Sequence, residues 1–289
     1  MKTILYATDY SKNSELALKY AFNMSVKTGA KLMVIHVFEY PTLLDGKGIK
    51  PEPAFPDLEG DALREHRLKL QTFCTRILKN DAVIQNIEIT AIQNKSVLHG
   101  IIEKASAVDA SLIVVGMKGA SKIRELIMGS TTKHLIENAP CPVLSVPGES
   151  VKKDIDTMVY ATDFEDKDLG AINRLTKIAE PFNAKIKIVH VLPLEGAVRE
   201  KQLKDLQDTF HKYINYPNLE LDVLYSDDTF NALKIYYRNA NADLMAMLHR
   251  KRSGITSKVF HRDLVKRMET YGKIPLLSFN ADNYGIFHV

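Results

Sequence analysis

Apolar residues fall along this chain in two alternating rhythms. Short, near-continuous runs suit buried strands, and longer stretches with a period near 3.6 suit helices. Runs at residues 3–7, 31–38, 87–93, 112–115 and 142–146 read as strands. Segments 13–28, 63–80, 97–107 and 131–138 read as helices. In the first of these, Leu16, Ala17, Tyr20, Ala21 and Met24 fall at helical spacing, Ser11 suits an N-cap, and Gly29 suits the C-terminal stop. Residues 39–61 are rich in Pro and Gly and read as a long loop, either a lid over a site or plain surface.

After the turn-rich, polar stretch Pro147-Gly148-Glu149-Ser150 the alternation resumes. Strands are expected at 157–161, 186–191, 219–225, 244–248 and 275–279, and helices at 167–182, 195–214, 229–239 and 262–270. This second series is a copy of the first. Tyr6-Ala7-Thr8-Asp9-Tyr10 returns as Tyr160-Ala161-Thr162-Asp163-Phe164, an offset of 154 (160 less 6). The same offset takes Ala17 to Ala171, Ala30-Lys31 to Ala184-Lys185, and His36-Val37 to His190-Val191. Register holds without a gap across strand, helix and strand, so the chain is read as a tandem repeat, residues 1–148 and 152–289. Strand–helix alternation with apolar strands argues an α/β fold. Its form would be two tandem open-sheet Rossmann-like domains, each a mostly parallel five-stranded sheet with helices on both faces. Ligands in such folds sit beyond the carboxyl ends of the strands, where strand order reverses.

Composition narrows the classes of function. A net charge of +4 over 289 residues is too weak and dispersed to indicate nucleic acid. No stretch approaches the roughly 18 apolar residues of a membrane span. Two cysteines, Cys74 and Cys141, make no disulfide framework, and the opening apolar run is short and broken by Asp9, so a cytoplasmic location is expected. No His/Cys/Asp/Glu cluster has metal-ligand spacing, and no nucleophile elbow appears. His36 and His190 end buried strands and read as structural, hydrogen-bonded histidines.

The segment with most chemistry follows the fourth strand. Leu112-Ile113-Val114-Val115 ends on Gly116, then come Gly119, a nine-residue spacer, and Gly129-Ser130-Thr131-Thr132 opening a helix. Exposed N–H groups at a helix start and the helix dipole both favour anions, so phosphate is the first ligand to consider. The pattern is neither a P-loop nor a dinucleotide fingerprint. Taken with Thr8-Asp9-x-Ser11 and His36-Val37, the signature Gly116-x2-Gly119-x9-Gly129-Ser130, followed by Ala139-Pro140-Cys141-Pro142-Val143, resembles the universal stress protein family.

That resemblance implies the adenine nucleotide alpha hydrolase-like form of the fold and an ATP or AMP site in the first half, with Mg²⁺ arriving alongside ATP. By carry-over, Asp9 contacts the adenosine part beside Ala7 and Thr8, and the Val37 backbone meets the adenine edge. Gly116, Met117 and Gly119 run along the ribose and first phosphates, and Gly129, Ser130 and Thr131 hold the phosphate tail. Asp9 also suits a helix cap, and the two roles can coexist. Ala7 stands where many members carry proline.

The second half departs from the signature. Setting Val115 against Met247, an offset of 132 (247 less 115), puts Leu248 opposite Gly116, Lys251 opposite Gly119, His261 opposite Gly129 and Arg262 opposite Ser130. Nucleotide is therefore not expected there in the same way. His249, Arg250, Lys251, Arg252, His261 and Arg262 form either a basic anion site or a solvated basic loop. The leading expectation is a nucleotide-responsive regulator of stress adaptation without turnover. The alternatives are a slow ATPase or phosphotransferase using Lys118, Lys122 and Arg124, and a nucleotide-independent interaction module. The two last strands, from Pro142 to Val146 and from Pro275 to Phe279, are the natural edges for an internal pseudo-dimer, with a further homodimer as the other assembly to consider.

Overall fold

The computed structural model describes residues 1–39, 58–79, 87–117, 130–148, 154–194, 208, 210, 212–250 and 274–284. The first half runs β1 (Thr3–Ala7), α1 (Lys12–Thr28), β2 (Lys31–Phe38), α2 (Leu58–Leu78), β3 (Glu88–Gln93), α3 (Val97–Ala107), β4 (Leu112–Gly116), α4 (Ser130–Asn138) and β5 (Val143–Val146). The second runs β6 (Thr157–Ala161), α5 (Asp166–Ala179), β7 (Lys185–Leu192), β8 (Leu219–Tyr225), α6 (Thr229–Asn239), β9 (Leu244–His249) and β10 (Leu276–Asn280).

The strands form one 10-stranded sheet in the order β3-β2-β1-β4-β5-β10-β9-β6-β7-β8. Within each half every described pairing is parallel, as strands buried on both faces require. The halves meet where β10 pairs antiparallel with β5, Leu276 opposite Ser145 and Ser278 opposite Val143. Each otherwise exposed edge thus satisfies the other's backbone groups.

One face of the sheet carries a single core through both halves, including Leu18, Leu144, Ile172, Leu277 and Phe279. The opposite face carries a separate core in each half, one around Ile101, Leu135 and Ile136 and one around Leu233 and Tyr237. Side chains also cross the junction. Asn280 Nδ2 donates to Glu137 O (3.0 Å) and Asn283 Nδ2 to Ala139 O (2.9 Å), satisfying carbonyls at the end of α4. Arg174 Nη2 donates to Ser111 O at 3.0 Å.

Element ends show where local chemistry decides. Ser11 caps α1, accepting from Ser14 N at 3.3 Å, and Gly29 closes it at φ 65°. α2 starts at Leu58, inside the segment expected as loop to residue 61, and runs through Gly60. α5 stops at Ala179, short of the expected residue 182. Pro181 continues the chain as a 3-10 turn, Glu180–Phe182, closed by Asn183 at φ 52°. The expected helix at 262–270 and most of that at 195–214 lie outside the described residues.

Candidate functional site

Strand order reverses between β1 and β4 in the first half. The chain builds outward through β2 and β3, then returns to the other side of β1. The crevice at the carboxyl ends of β1 and β4 is therefore the place for a ligand. Thr8 and Asp9 leave β1 there, and Met117 leaves β4.

Thr8 is fully committed. Its N–H donates to Ile35 O (3.0 Å), its Oγ1 accepts from Tyr10 N (3.0 Å), and its carbonyl accepts from His36 Nδ1 (2.8 Å). A carbonyl only accepts, so His36 Nδ1 carries a proton and donates it. Burial lowers the His36 pKa, against the bond to Thr8 that raises it, which favours the neutral ring. Tyr10 follows at φ 62°, a left-handed conformation uncommon for a bulky residue. Its ring packs on His36 at 4.3 Å and edge-on to Phe73 at 5.4 Å. These contacts hold the turn that presents Asp9.

Asp9 is exposed, and its Oδ1 accepts from Ser11 N at 3.0 Å and from the Ser14 hydroxyl. Partial burial raises the carboxyl pKa, but the bonds from Ser11 and Ser14 outweigh it and hold the group below the usual range. Among the described residues both bonds fall on Oδ1, so Asp9 is an oriented, ionised acceptor at the crevice. Ser14 is the residue that sequence reasoning missed. It lies on the first turn of α1, and only the fold brings its hydroxyl back to the strand end.

The structure gives Gly116 a reason beyond ligand approach. A Cβ there would stand 3.0 Å from the Asn13 carbonyl carbon and 3.0 Å from Ser14 N, so the first turn of α1 already fills that space. Met117 is 1% exposed and donates its N–H to Val146 O at 2.8 Å. Val37 is buried, with its side chain under α3, where a Cβ on Gly100 would come within 2.9 Å of Cγ1. Ala7 pairs with Ile35 and Val115 and ends its strand beside Thr8. Ser130 begins α4 exposed to solvent, with Thr131 half-buried behind it. Gly119 and Gly129 lie outside the described residues, as do Lys118, Lys122 and Arg124.

The second half reproduces this frame. Thr162 N donates to Val189 O (3.0 Å), its Oγ1 accepts from Phe164 N (2.9 Å), and its carbonyl accepts from His190 Nδ1 (2.7 Å). Phe164 takes φ 59°, matching Tyr10. Ala161 pairs with Met247 as Ala7 pairs with Val115, so the sheet itself sets Leu248 opposite Gly116. Of the six basic residues read as an anion site or a solvated loop, Lys251, Arg252, His261 and Arg262 lie outside the described residues, and Arg250 is not solvated. It turns inward onto Asp163, Glu165 and Asp168.

Among the described residues no three His, Cys, Asp or Glu side chains gather so as to hold a metal ion, and no helix is long and apolar enough to cross a membrane. Burial pushes the Cys74 and Cys141 thiols up to about 12, which leaves them unreactive at neutral pH.

The sequence model of the universal stress protein family matches residues 1–147. A universal stress protein of Methanocaldococcus jannaschii is 26% identical over 158 residues, spanning 50% of this chain and 94% of its own. One from Thermus aquaticus is 28% identical over 152 residues, spanning 50% of this chain and 98% of its own. The solved structure of a universal stress protein from Archaeoglobus fulgidus superposes on 96% of this chain and 98% of its own, with a TM-score of 0.67 at 18% identity. The last likeness extends the fold, and the fold alone, across both halves.

Proposed function

The chain belongs to the universal stress protein family, and from that premise we propose that its first half binds an adenine nucleotide, ATP or AMP, as the signal of a regulator of stress adaptation. Asp9 would take the ribose hydroxyls or adenine amine beside Ala7 and Thr8, and the Val37 backbone the adenine edge. Gly116, Met117 and Gly119 would line the ribose and first phosphates, with Gly129, Ser130 and Thr131 at the phosphate tail. Mg²⁺ would accompany ATP through the phosphates.

The observation that carries this reading is the ionised, oriented Asp9 at the switch point of a half that keeps every glycine of the signature. In this reading the protein binds and releases nucleotide without turnover. Residues 1–148 form the sensing unit, and 152–289 form a structural unit that completes its sheet. Equilibrium dialysis of the purified chain against labelled ATP and AMP tests it. Saturable binding at or below about 1 mM, lost in Asp9→Ala, is expected. Absence of binding by both nucleotides at that concentration would remove the proposal.

A further inference from the structure

The two halves share a backbone frame at their strand ends but not the chemistry inside it. The offset of 154 sets Ser11 against Glu165 and Ser14 against Asp168. The serine that caps α1 and the serine whose hydroxyl donates to Asp9 in the first half are thus two carboxylates beside Asp163 in the second. Ser14 donates to Asp9, whereas Asp168 accepts, from Tyr160 OH and from Glu165 N. Left alone, Asp163, Glu165 and Asp168 would be three like charges around one helix start, one of them 1% exposed.

The guanidinium of Arg250 lies among them. Nη1 stands 3.0 Å from Glu165 Oε1 and 3.6 Å from Asp163 Oδ2, and Nη2 stands 3.2 Å from Asp168 Oδ2. The Arg250 side chain is 16% exposed. Asp168 is held for this role from two other sides. Tyr160 OH donates to its Oδ1 at 2.6 Å, and Glu165 N donates to its Oδ2 at 3.0 Å in a capping box at the start of α5. A planar cation with several fixed donors fits carboxylates on two sides in a way that an ammonium does not.

We propose that the strand-end site of the second half is a guanidinium-binding site whose ligand is the chain's own Arg250. The same crevice that presents an exposed carboxylate in the first half is filled from within in the second. Arg250 lies on Asp163 where an external ligand would have to sit, and Leu248 stands at the step where Gly116 lets α1 come close in the first half. The second half is then a locked copy, and Arg250 is the residue that decides which half is open to an external ligand. This stands on the second half alone and does not depend on nucleotide binding in the first.

Chemical rescue of the full-length chain tests it. Arg250→Ala should lower Tm by roughly 5–10 °C, because one carboxylate stays buried without its cation. Ethylguanidinium at millimolar concentration should restore at least half of that loss, saturably. Ethylurea, sodium chloride and ethylammonium should not, and none of them should shift the wild type. Equal melting of wild type and Arg250→Ala, or an equal response of both to ethylguanidinium, would overturn the proposal. If Arg250→Ala does not fold, a cycle of Arg250→Lys and Glu165→Gln decides instead. A lysine cannot bridge the set, so Glu165→Gln should cost less in the Arg250→Lys background than in the wild type. Strictly additive losses would overturn the proposal.

Discussion

Gly116 and Leu248 occupy the same step of two equivalent strands. One follows the pairing of Val115 with Ala7 and the other the pairing of Met247 with Ala161. In the first half that step is bare, and the α1 backbone at Asn13 and Ser14 fills the space. In the second it is a leucine only 5% exposed. The glycine therefore sets how closely α1 approaches the strand end, and through Ser14 it sets where Asp9 points.

Gly116→Ala should accordingly damage both stability and binding. The added Cβ meets backbone and not a flexible side chain, so α1 must shift, at a cost of roughly 1–3 kcal/mol. Urea denaturation and nucleotide titration on the same preparation check this. Unchanged stability would mean that α1 accommodates a side chain at this step.

Ser14→Ala separates orientation from charge. The Asp9 carboxyl sits below its usual range because of the Ser11 and Ser14 bonds. Its contribution to stability is therefore present above the ordinary carboxylate range and lost as pH falls through its lowered value. Removing the Ser14 hydroxyl should move the Asp9 titration upward and weaken nucleotide binding less than Asp9→Ala does. A carbon-detected NMR titration of the carboxyl reads the shift. An unmoved titration would show that Ser11 alone sets it.

His36 gives a second pH signature, of opposite charge type. Its folded pKa is depressed by burial, so the stability it contributes is complete above the ordinary histidine value of about 6.5 and declines as pH falls through the depressed value. His36→Asn keeps a donor for the Thr8 carbonyl and removes the titration. The unfolding free energy of that variant should fall less steeply than that of the wild type below about pH 6.5. Identical slopes would assign the acid sensitivity elsewhere.

The second half also reaches the proposed phosphate helix. Asn280 and Asn283 satisfy carbonyls at the C-terminal end of α4, whose opposite end begins at Ser130. Asn280→Ala and Asn283→Ala should each cost about 1 kcal/mol, and hydrogen exchange should rise across residues 130–138. Exchange that rises only at the sheet junction would mean that α4 is held by its own packing.

Much of this was legible in the sequence, for identifiable reasons. The 154-residue repeat fixed the equivalence of Asp9 with Asp163 and of His36 with His190, because no residue was gained or lost from the first strand of each half to the second. The apolar runs located β1, β2 and β4 because strands buried on both faces leave few polar interruptions. Helix ends were harder. Gly60 within α2 and Pro181 after α5 are local signals that neighbouring residues reweighted. The same offset set Asp168 against Ser14 and Glu165 against Ser11, but the meaning of that exchange needed Arg250, which follows β9 more than 80 positions further along the chain. Only the parallel register of β6 with β9 brings that arginine to the start of α5.

The central claim is that a duplicated fold keeps one open site and one filled from within. Isothermal titration of the full-length chain with ATP and AMP measures it directly. One nucleotide per chain is expected, abolished by Asp9→Ala and retained in Asp163→Asn. Two nucleotides per chain, or binding lost through Asp163 and kept without Asp9, would contradict it.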